Sequence, residues 1–420
     1  MPDINATQPH PPACHNMTVL RNVLIPRALL RRPEAFGGAP ADDCLRGDFY
    51  FSESKASRLE PAQHSDSPRM LLPALTEAHC HLDKCHSISR LGSVGGDLTQ
   101  AIAAQTEDKI NWTQDDLARR MARGLAELKT AGCSAVRSHI DWGHTPAPPL
   151  AWSILQDLST DQNFTVQTAA LTGIPQLADP AFCNEIVKHI ARARGGVLGA
   201  FVLHHELTDI DAGLRNIFAA ADQYALALDF HVDEGLGSYN GLEAICDAAI
   251  AARFKGPILC GHAVSLIDRD AEDLARLSDK LVRAGIHICA LPTTNLYLQG
   301  RRQGAPDRRG LTRLRELDEA GVPIIVASDN VADAFCPVGQ HDPRAALHLA
   351  VLAAHLDPPM GTWLPAITVN AATGIGLDPP YVDDAPIEAL RLCEVTSTAE
   401  FIRTQTPLTP IHPLYEEHGK

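Results

Sequence analysis

Two histidines one residue apart, His79 and His81, follow shortly after the apolar run from Leu71 to Leu75. Alternate residues of a β-strand project to the same face, so both imidazoles can reach one metal ion from the end of such a strand. Imidazole nitrogen is a preferred ligand of zinc and other transition metals. The pair is therefore a candidate metal site. The alternative is a pair of surface or capping histidines, and the presence of further ligands decides between the two.

Further residues of metal-ligand or proton-transfer type close three later apolar runs. His231 ends one run and is followed by Glu234, His262 ends the next, and Asp329 ends the last. A single histidine at a strand end is commonly a hydrogen-bonded structural residue, but so many at separate strand ends are not expected by chance. We therefore predict one metal-binding centre that draws together His79, His81, His231, His262 and Asp329.

The segment from residue 71 to about 355 alternates short apolar runs with amphipathic stretches, which predicts alternating strands and helices. Thr113, for example, caps a predicted helix that ends at Gly132. Strands that are apolar on both faces indicate a parallel sheet, and eight of them predict an α/β fold closed into a (β/α)8 TIM-like barrel. An open doubly wound sheet is the alternative, although no Gly-x-Gly-x-x-Gly follows the first strand. The predicted strands are Leu71 to Ala78, Ser134 to His139, Thr165 to Leu171, Gly196 to Leu203, Leu226 to His231, Pro257 to Gly261, His287 to Ala290 and Pro323 to Ala327.

The segments on either side of the barrel predict a second unit. Residues 1–17 are polar and rich in proline, and we predict a disordered arm there. Short strand-like runs in residues 18–70 and in residues 376–420 predict a small β-sandwich domain built from both chain ends. The catalytic barrel then occupies residues 71–375.

Composition limits the class of function. The 420-residue chain has a formal net charge of −15 and no cluster of basic residues, which argues against nucleic acid or an anionic membrane as partner. Its 11 cysteines include no Cys-x-x-Cys pair, as expected of buried thiols in a reducing compartment. With neither an apolar leader nor a long apolar run, the sequence predicts a cytoplasmic protein that acts on a small neutral or weakly basic molecule.

With these residues assembled, the chain resembles the amidohydrolase superfamily, and within it the branch of bacterial cytosine deaminase. It is also similar to N-isopropylammelide amidohydrolase, which belongs to the same branch. The resemblance extends from about residue 70 to 375 of the 420 residues. The segments that carry it are His79–Asp83, Arg137–Asp141, His231–Glu234, Leu298–Arg301, Arg308–Gly310, Ala327–Asn330 and Pro337–Gly339.

The resemblance implies a metal-dependent hydrolase of C–N bonds other than peptide bonds. It implies one divalent ion per chain, Zn or Fe, held by His79, His81, His231 and Asp329, and the end of strand four offers no lysine to bridge two metals. Glu206, at that strand end, could in principle bridge, but the branch with His-x-Asp-Glu on strand five is mononuclear. Asp329 would take the proton of a metal-activated water, and His262 would orient the resulting hydroxide. Glu234 would pass a proton to the substrate ring and then to the leaving amine, unless it is only a surface carboxylate at a helix start.

Two departures from cytosine deaminase bear on the substrate. Asn330 stands where that enzyme has a second aspartate, and Leu171-Thr172-Gly173 stands where it has a glutamine. We therefore predict hydrolytic deamination of a cytosine-like nitrogen heterocycle, such as an aminopyrimidine or aminotriazine, rather than of cytosine itself. Candidate substrate contacts are Thr172, Gln176, Gln299, Asn330 and Phe335. His204 and His205 are either a loop pair or a further substrate contact.

Two other classes of function stay open. The same centre suits hydrolysis of an N-substituted amino group or of a cyclic amide heterocycle. A non-catalytic binding protein with this fold is the third class, and the complete ligand set together with Glu234 argues against it. A homo-oligomer is expected only by analogy with the family, because the predicted outer helices show no heptad seam.

Overall fold

The structure, a computed structural model, describes residues 18–52, 56–63, 67–92, 94–203, 207–305, 308 and 310–411. The predicted arm at residues 1–17 lies outside the described residues. So do His204, His205 and Glu206, for which the sequence left a substrate contact or a metal bridge open.

The strands form two sheets. Strands β1 to β5 span Thr18–Pro26, Ala39–Ala41, Cys44–Phe51, Ala56–Glu60 and Arg69–Pro73; β6 to β13 span Leu75–Cys80, Cys133–Asp141, Thr165–Gly173, Gly196–Val202, Leu228–Val232, Ile258–His262, Ile286–Ala290 and Ile324–Val326; β14 and β15 span Leu390–Cys393 and Thr409–Pro410. A seven-stranded sheet has the order β15-β14-β5-β1-β3-β2, with β4 against β3, and so joins both ends of the chain. The eight-stranded sheet runs in order from β6 to β13.

The eight-stranded sheet is a barrel. Its neighbouring strands are all parallel. The sheet closes just beyond β13, where a bridge links Cys80 to Asp329 and the Asp329 N–H donates to the His79 carbonyl at 2.9 Å. The predicted (β/α)8 barrel with a separate β-domain is therefore confirmed. Closure places the end of β6 beside the segment that follows β13, and both carry predicted ligands.

Helices connect the strands of both sheets. Among the described residues they are α1 Pro33–Phe36, α2 Leu98–Asp108, α3 Gln114–Thr130, α4 Leu150–Leu158, α5 Ile174–Ala178, α6 Pro180–Arg192, α7 Leu207–Tyr224, α8 Gly241–Ala252, α9 Ala271–Ala284, α10 Pro292–Leu298, α11 Leu314–Glu319, α12 Pro343–Ala353, α13 Val369–Gly374 and α14 Thr398–Arg403. Short 3₁₀ turns lie at Arg27–Leu29, Ile88–Arg90, Lys109–Asn111, Val264–Asp268, Met360–Ile367 and Ile387–Ala389. Helix α3 begins as predicted, because the Thr113 hydroxyl accepts the Asp116 N–H at 3.3 Å. It buries Leu117 and Met121 against the barrel.

The predicted first strand, Leu71 to Ala78, is two strands in the structure. Leu71 and Leu72 belong to β5 and pair with β14 in the small sheet, whereas β6 begins the barrel at Leu75. Between them, the Ala74 N–H donates to the Ala389 carbonyl at 2.7 Å. Both strands are buried along almost their whole length, so the apolar run continues through the break and hides it in the sequence.

Every cysteine of the described residues is buried and free of a disulfide. Within the same residues we find no helix whose length and apolar character would let it cross a membrane.

Candidate active site

Strand ends of the barrel carry the predicted ligand residues to one point. His79 lies in β6 and His81 directly after it, His231 lies in β10, and His262 ends β11. Asp329 follows β13. The φ angles of His262 and Asp329 are 71° and 61°, so the chain leaves each strand in the left-handed region. Such turns are uncommon for residues other than glycine, and here they accompany the change of direction at the barrel mouth.

Three imidazoles and one carboxylate converge. His81 Nε2 is 3.1 Å from His231 Nε2 and 3.3 Å from Asp329 Oδ1, which lies 3.6 Å from His79 Nε2. All four side chains are buried, and His79 Nε2 has no hydrogen-bond partner among the described residues. Zinc–ligand bonds of about 2.0–2.1 Å put neighbouring ligand atoms of a tetrahedral site about 3.3 Å apart. The spacing and the donor types therefore fit one divalent ion.

Burial keeps these imidazoles neutral. It lowers the pKa of His79, His81 and His231 well below the usual histidine value, and neighbouring side chains lower it further. Neutral imidazole is the form that binds a metal ion. The three rings can therefore bind an ion at neutral pH without first losing a proton.

Glu77 links β6 to the segment that carries Asp329 by hydrogen bonds. Its Oε1 accepts the N–H of His79 at 3.1 Å and that of Ser328 at 3.2 Å, and its Oε2 also lies 3.2 Å from the Ser328 nitrogen. Burial raises the pKa of Glu77 to about 8. Because Ser328 precedes Asp329, this carboxyl group fixes the relative position of two predicted ligands.

Gly261 gives His79 the room that its ring occupies. A Cβ at position 261 would lie 2.9 Å from His79 Cε1 and 3.0 Å from Nδ1. We expect Gly261→Ala to displace the ring and to weaken metal binding roughly 10- to 100-fold, the usual effect of disturbing groups that orient metal ligands. Metal titration of the chelator-stripped variant measures this change. Gly92→Ala is the matched control, since its Cβ meets no atom within 4 Å, and equal affinities in the two variants would contradict the prediction.

Glu234 and His262 lie side by side in the wall of the site. Glu234 Oε1 is 3.5 Å from His262 Nδ1, and the Asn295 amide nitrogen lies 3.0 Å from that same ring nitrogen. With Asn295 as donor, His262 carries its proton on Nε2, which has no partner among the described residues. Burial, aided by the charge of Asp329, raises the pKa of Glu234 well above its usual value, and burial lowers the pKa of His262 to about 4. Burial therefore favours the uncharged form of both side chains.

A cavity of about 300 Å³ opens over this centre. Polar residues of its wall include His81, Lys84, Gln105, Lys109, Asp141, His144, Gln176, His231, Glu234, His262, Asp329 and Asn330, and apolar ones include Leu98, Ile102, Leu171, Phe201, Leu203 and Phe335. Of the predicted substrate contacts, the structure brings Gln176, Asn330 and Phe335 to the cavity. The described wall does not include Thr172 or Gln299. Thr172 lies between Leu171 and Gly173, which do line the cavity, and alternate strand residues face opposite ways.

Gln176 reaches the cavity from the first turn of α5. Its Nε2 lies 2.9 Å from His144 Nδ1, while its Oε1 is buried without a partner among the described residues. A Cβ at position 173 would lie 2.3 Å from this oxygen, so Gly173 lets the amide fold back over the strand end. A glutamine therefore lies near the end of β8, the third barrel strand, but it comes from helix α5 and not from the strand itself.

Asn330 is held by its neighbour. Its amide nitrogen donates to Asp333 at 2.7 Å, so one of its N–H bonds is already engaged. Gln299 instead supports the acid, because its amide nitrogen lies 3.4 Å from the Glu234 carbonyl oxygen. The first residue can contact a substrate, and the second acts through the backbone of Glu234.

The prediction missed three residues of the site. His139 packs with its ring centroid 4.0 Å from that of His79, and its Nε2 lies 2.8 Å from Asp229 Oδ1. Lys84 Nζ lies 3.0 Å from His81 Nδ1, and Asn295 contacts His262 as described. His139 closes a predicted strand in the same way as His231, which is the signal that could have identified it. Asn295 lies in α10, beyond the end of β12, and only the fold brings it to the site.

The comparison with protein families decides the affiliation. Residues 90–379 match the model of the amidohydrolase family. The chain belongs to that family. This amidohydrolase is accordingly a hydrolase that acts on C–N bonds, which confirms the predicted class of enzyme.

This amidohydrolase is similar to one protein in sequence and to two others in fold. It is 31% identical over 371 residues to a pterin deaminase of Rhizobium rhizogenes, covering 85% of this chain and 83% of that protein. The structure of a 5-methylcytosine deaminase from Klebsiella pneumoniae, liganded with 5-fluorocytosine, matches with a TM-score of 0.75 at 21% identity, covering 89% of this chain and 93% of the other. The N-isopropylammelide isopropylaminohydrolase of Burkholderia multivorans matches with a TM-score of 0.66 at 19% identity, covering 91% and 94%. The last two show the shared fold.

Proposed function

We propose that this amidohydrolase removes the exocyclic amino group of a small nitrogen heterocycle by hydrolysis and releases ammonia. The observation that carries the proposal is the convergence of His79, His81, His231 and Asp329 under a cavity whose wall also includes Glu234. These four residues would hold one divalent ion, Zn or Fe. When bound, such an ion supplies a water that ionises near neutral pH.

The side chains account for each proton of the reaction. Asp329, whose pKa burial raises, accepts a proton from the attacking water. His262 presents its Nε2–H to the oxygen that adds to the ring carbon and stabilises the developing charge. Glu234 gives its proton to the adjacent ring nitrogen, carries the proton that Asp329 took from the water to the amino group, and regains a proton from the added oxygen as the carbonyl forms. The C–N bond breaks, ammonia leaves, and the ring keeps a carbonyl oxygen in place of the amine.

The substrate that we propose is a heterocycle with a 2-amino-4-oxo edge, as in a pterin. The pterin deaminase relative supports this choice, and so does the cavity. Gln176 offers a buried acceptor oxygen there, and Asn330 offers an amide with one N–H already taken by Asp333. A site with fixed donors and acceptors rejects a ring whose edge leaves them unpaired.

We therefore expect cytosine to have a kcat/KM at least about tenfold below that of pterin or isocytosine. Isocytosine is the matched probe, since it is a single ring like cytosine but carries the 2-amino-4-oxo edge of a pterin. Ammonia release from a panel of aminopyrimidines, aminotriazines, pterins and cyclic amides measures the preference. Cytosine with the highest kcat/KM of the panel would contradict the proposed edge.

The apolar side of the cavity favours one second candidate. Leu98, Ile102 and Phe335 face the same space as the polar residues, so an alkyl group on the leaving nitrogen could be accommodated. Hydrolysis of an N-substituted amino heterocycle is that candidate. It predicts release of an alkylamine at a higher kcat/KM than release of ammonia from the unsubstituted analogue.

A further inference from the structure

A second group of metal-ligand side chains lies apart from the barrel centre. His86 Nε2 is 3.0 Å and His341 Nδ1 is 2.9 Å from the same atom, Glu127 Oε2. All three ligand atoms lie within 4.8 Å of one another. They come from three distant segments, namely the loop after β6, helix α3 and the loop that precedes α12.

The surroundings of the three residues position them. The backbone N–H of His86 donates to the Val331 carbonyl at 3.0 Å, in a backbone with φ of 58°. The other carboxylate oxygen of Glu127 accepts from Arg123 at 2.8 Å. Gly124, one turn before Glu127, leaves space for His341, since a Cβ there would lie 3.0 Å from the ring. Pre-positioned ligands of this kind lower the cost of organising a metal site.

Glu127 supplies the carboxylate of the cluster, and Arg123 also contacts it. The hydrogen bond from His341 and the neighbouring Arg123 lower the pKa of Glu127 to about 2, while burial opposes them. Burial lowers the pKa of His86. His86, Glu127 and His341 also line a cavity of about 580 Å³, through which an ion and a water molecule can reach the three side chains.

We propose that His86, Glu127 and His341 form a second site for a divalent cation such as zinc. Two imidazoles and one carboxylate are a ligand set that zinc accepts, and a water completes four-coordination. Binding needs only that the ligand nitrogens, His86 Nε2 and His341 Nδ1, carry no proton. The site differs from the single ion expected at the barrel centre and does not depend on the proposed reaction.

An ion at this position would join two loops that serve the cavity. His86 follows His81 and Lys84, and the segment from Val331 to His341 follows Asp329 and includes Phe335. The two loops already meet, because the Ile88 N–H donates to the Ala332 carbonyl at 2.9 Å. The cation would act as a structural clamp at the edge of the active site.

Zinc binding to the full chain tests the proposal. Chelator-treated protein is equilibrated with zinc at a fixed free concentration and its zinc content is measured. We expect the wild type to hold one equivalent more than the double variant Glu127→Gln with His341→Gln, whose amides keep the size of the cluster. His355→Gln, at an exposed histidine, should match the wild type. Equal zinc contents in the wild type and the double variant would overturn the proposal.

The same measurement in a His231→Ala background separates the two sites. That variant should lose the equivalent at the barrel centre and keep the second one, which then disappears when Glu127 and His341 are also replaced. Zinc should raise the thermal midpoint of His231→Ala by about 2 °C or more, and should not raise that of the combined variant. His86→Gln serves as the second variant if the double variant does not fold. Zinc uptake that is lost only in His355→Gln overturns the proposal.

Discussion

Glu234→Gln should lower the rate of deamination by roughly two to four orders of magnitude while leaving the fold and the metal content unchanged. An amide keeps the shape of the side chain but cannot release and regain a proton. Glu234 is buried, lies 3.5 Å from His262 and has a raised pKa, all of which suit a residue that holds a proton for transfer. The loss is therefore expected in kcat rather than in substrate binding.

Steady-state kinetics with a metal assay on the same preparation measures this effect. Glu185→Gln is the matched control, because Glu185 is exposed on α6 and pairs only with Lys188 among the described contacts. The control should keep the wild-type rate. A Glu234→Gln enzyme with more than a tenth of the wild-type kcat would assign Glu234 a structural role.

His231→Ala should remove the metal of the barrel centre and reduce turnover to the uncatalysed background. The variant loses one of the three imidazoles of the centre. The distances between neighbouring ligand atoms there are 3.1–3.6 Å. The water that attacks the ring then no longer ionises near neutral pH. His79→Ala should behave in the same way, because its Nε2 faces the same point.

Elemental analysis before and after dialysis against a chelator measures the loss. His287→Ala is the control: His287 also lies on a barrel strand, in β12, but outside the ligand set. We expect the control to keep the metal of the centre and His231→Ala to lose one equivalent of Zn or Fe. Full retention of that equivalent in His231→Ala would refute the predicted ligand set.

The barrel and the candidate metal ligands can both be predicted from the sequence for one physical reason. Buried parallel strands are apolar on both faces, so histidine or aspartate residues that end several such runs are not expected by chance. His79, His231 and Asp329 all stand out in this way. Parallel strands place their carboxyl ends at one rim, and the positions along the chain therefore predict proximity in space.

Other parts of the site cannot be predicted in this way. Gln176 reaches the cavity from a helix. Thr172 does not line the cavity, because its neighbours Leu171 and Gly173 do and alternate strand residues face opposite ways. The spacing of residues near a strand end does not reveal where the strand stops and the helix turns back. Asn295 positions His262 from an element more than thirty residues further along the chain, by a contact of 3.0 Å that only the fold creates. The break between β5 and β6 is hidden because both strands are buried.

The most direct test of the proposed function is the simultaneous measurement of ammonia and of the oxo product from pterin and isocytosine. We predict that the metal-loaded protein forms the two products in equal amounts, that a chelator abolishes both, and that added Zn or Fe restores them. If no aminated heterocycle of the panel yields ammonia, while an N-substituted or cyclic amide substrate is hydrolysed, the proposed deamination is contradicted.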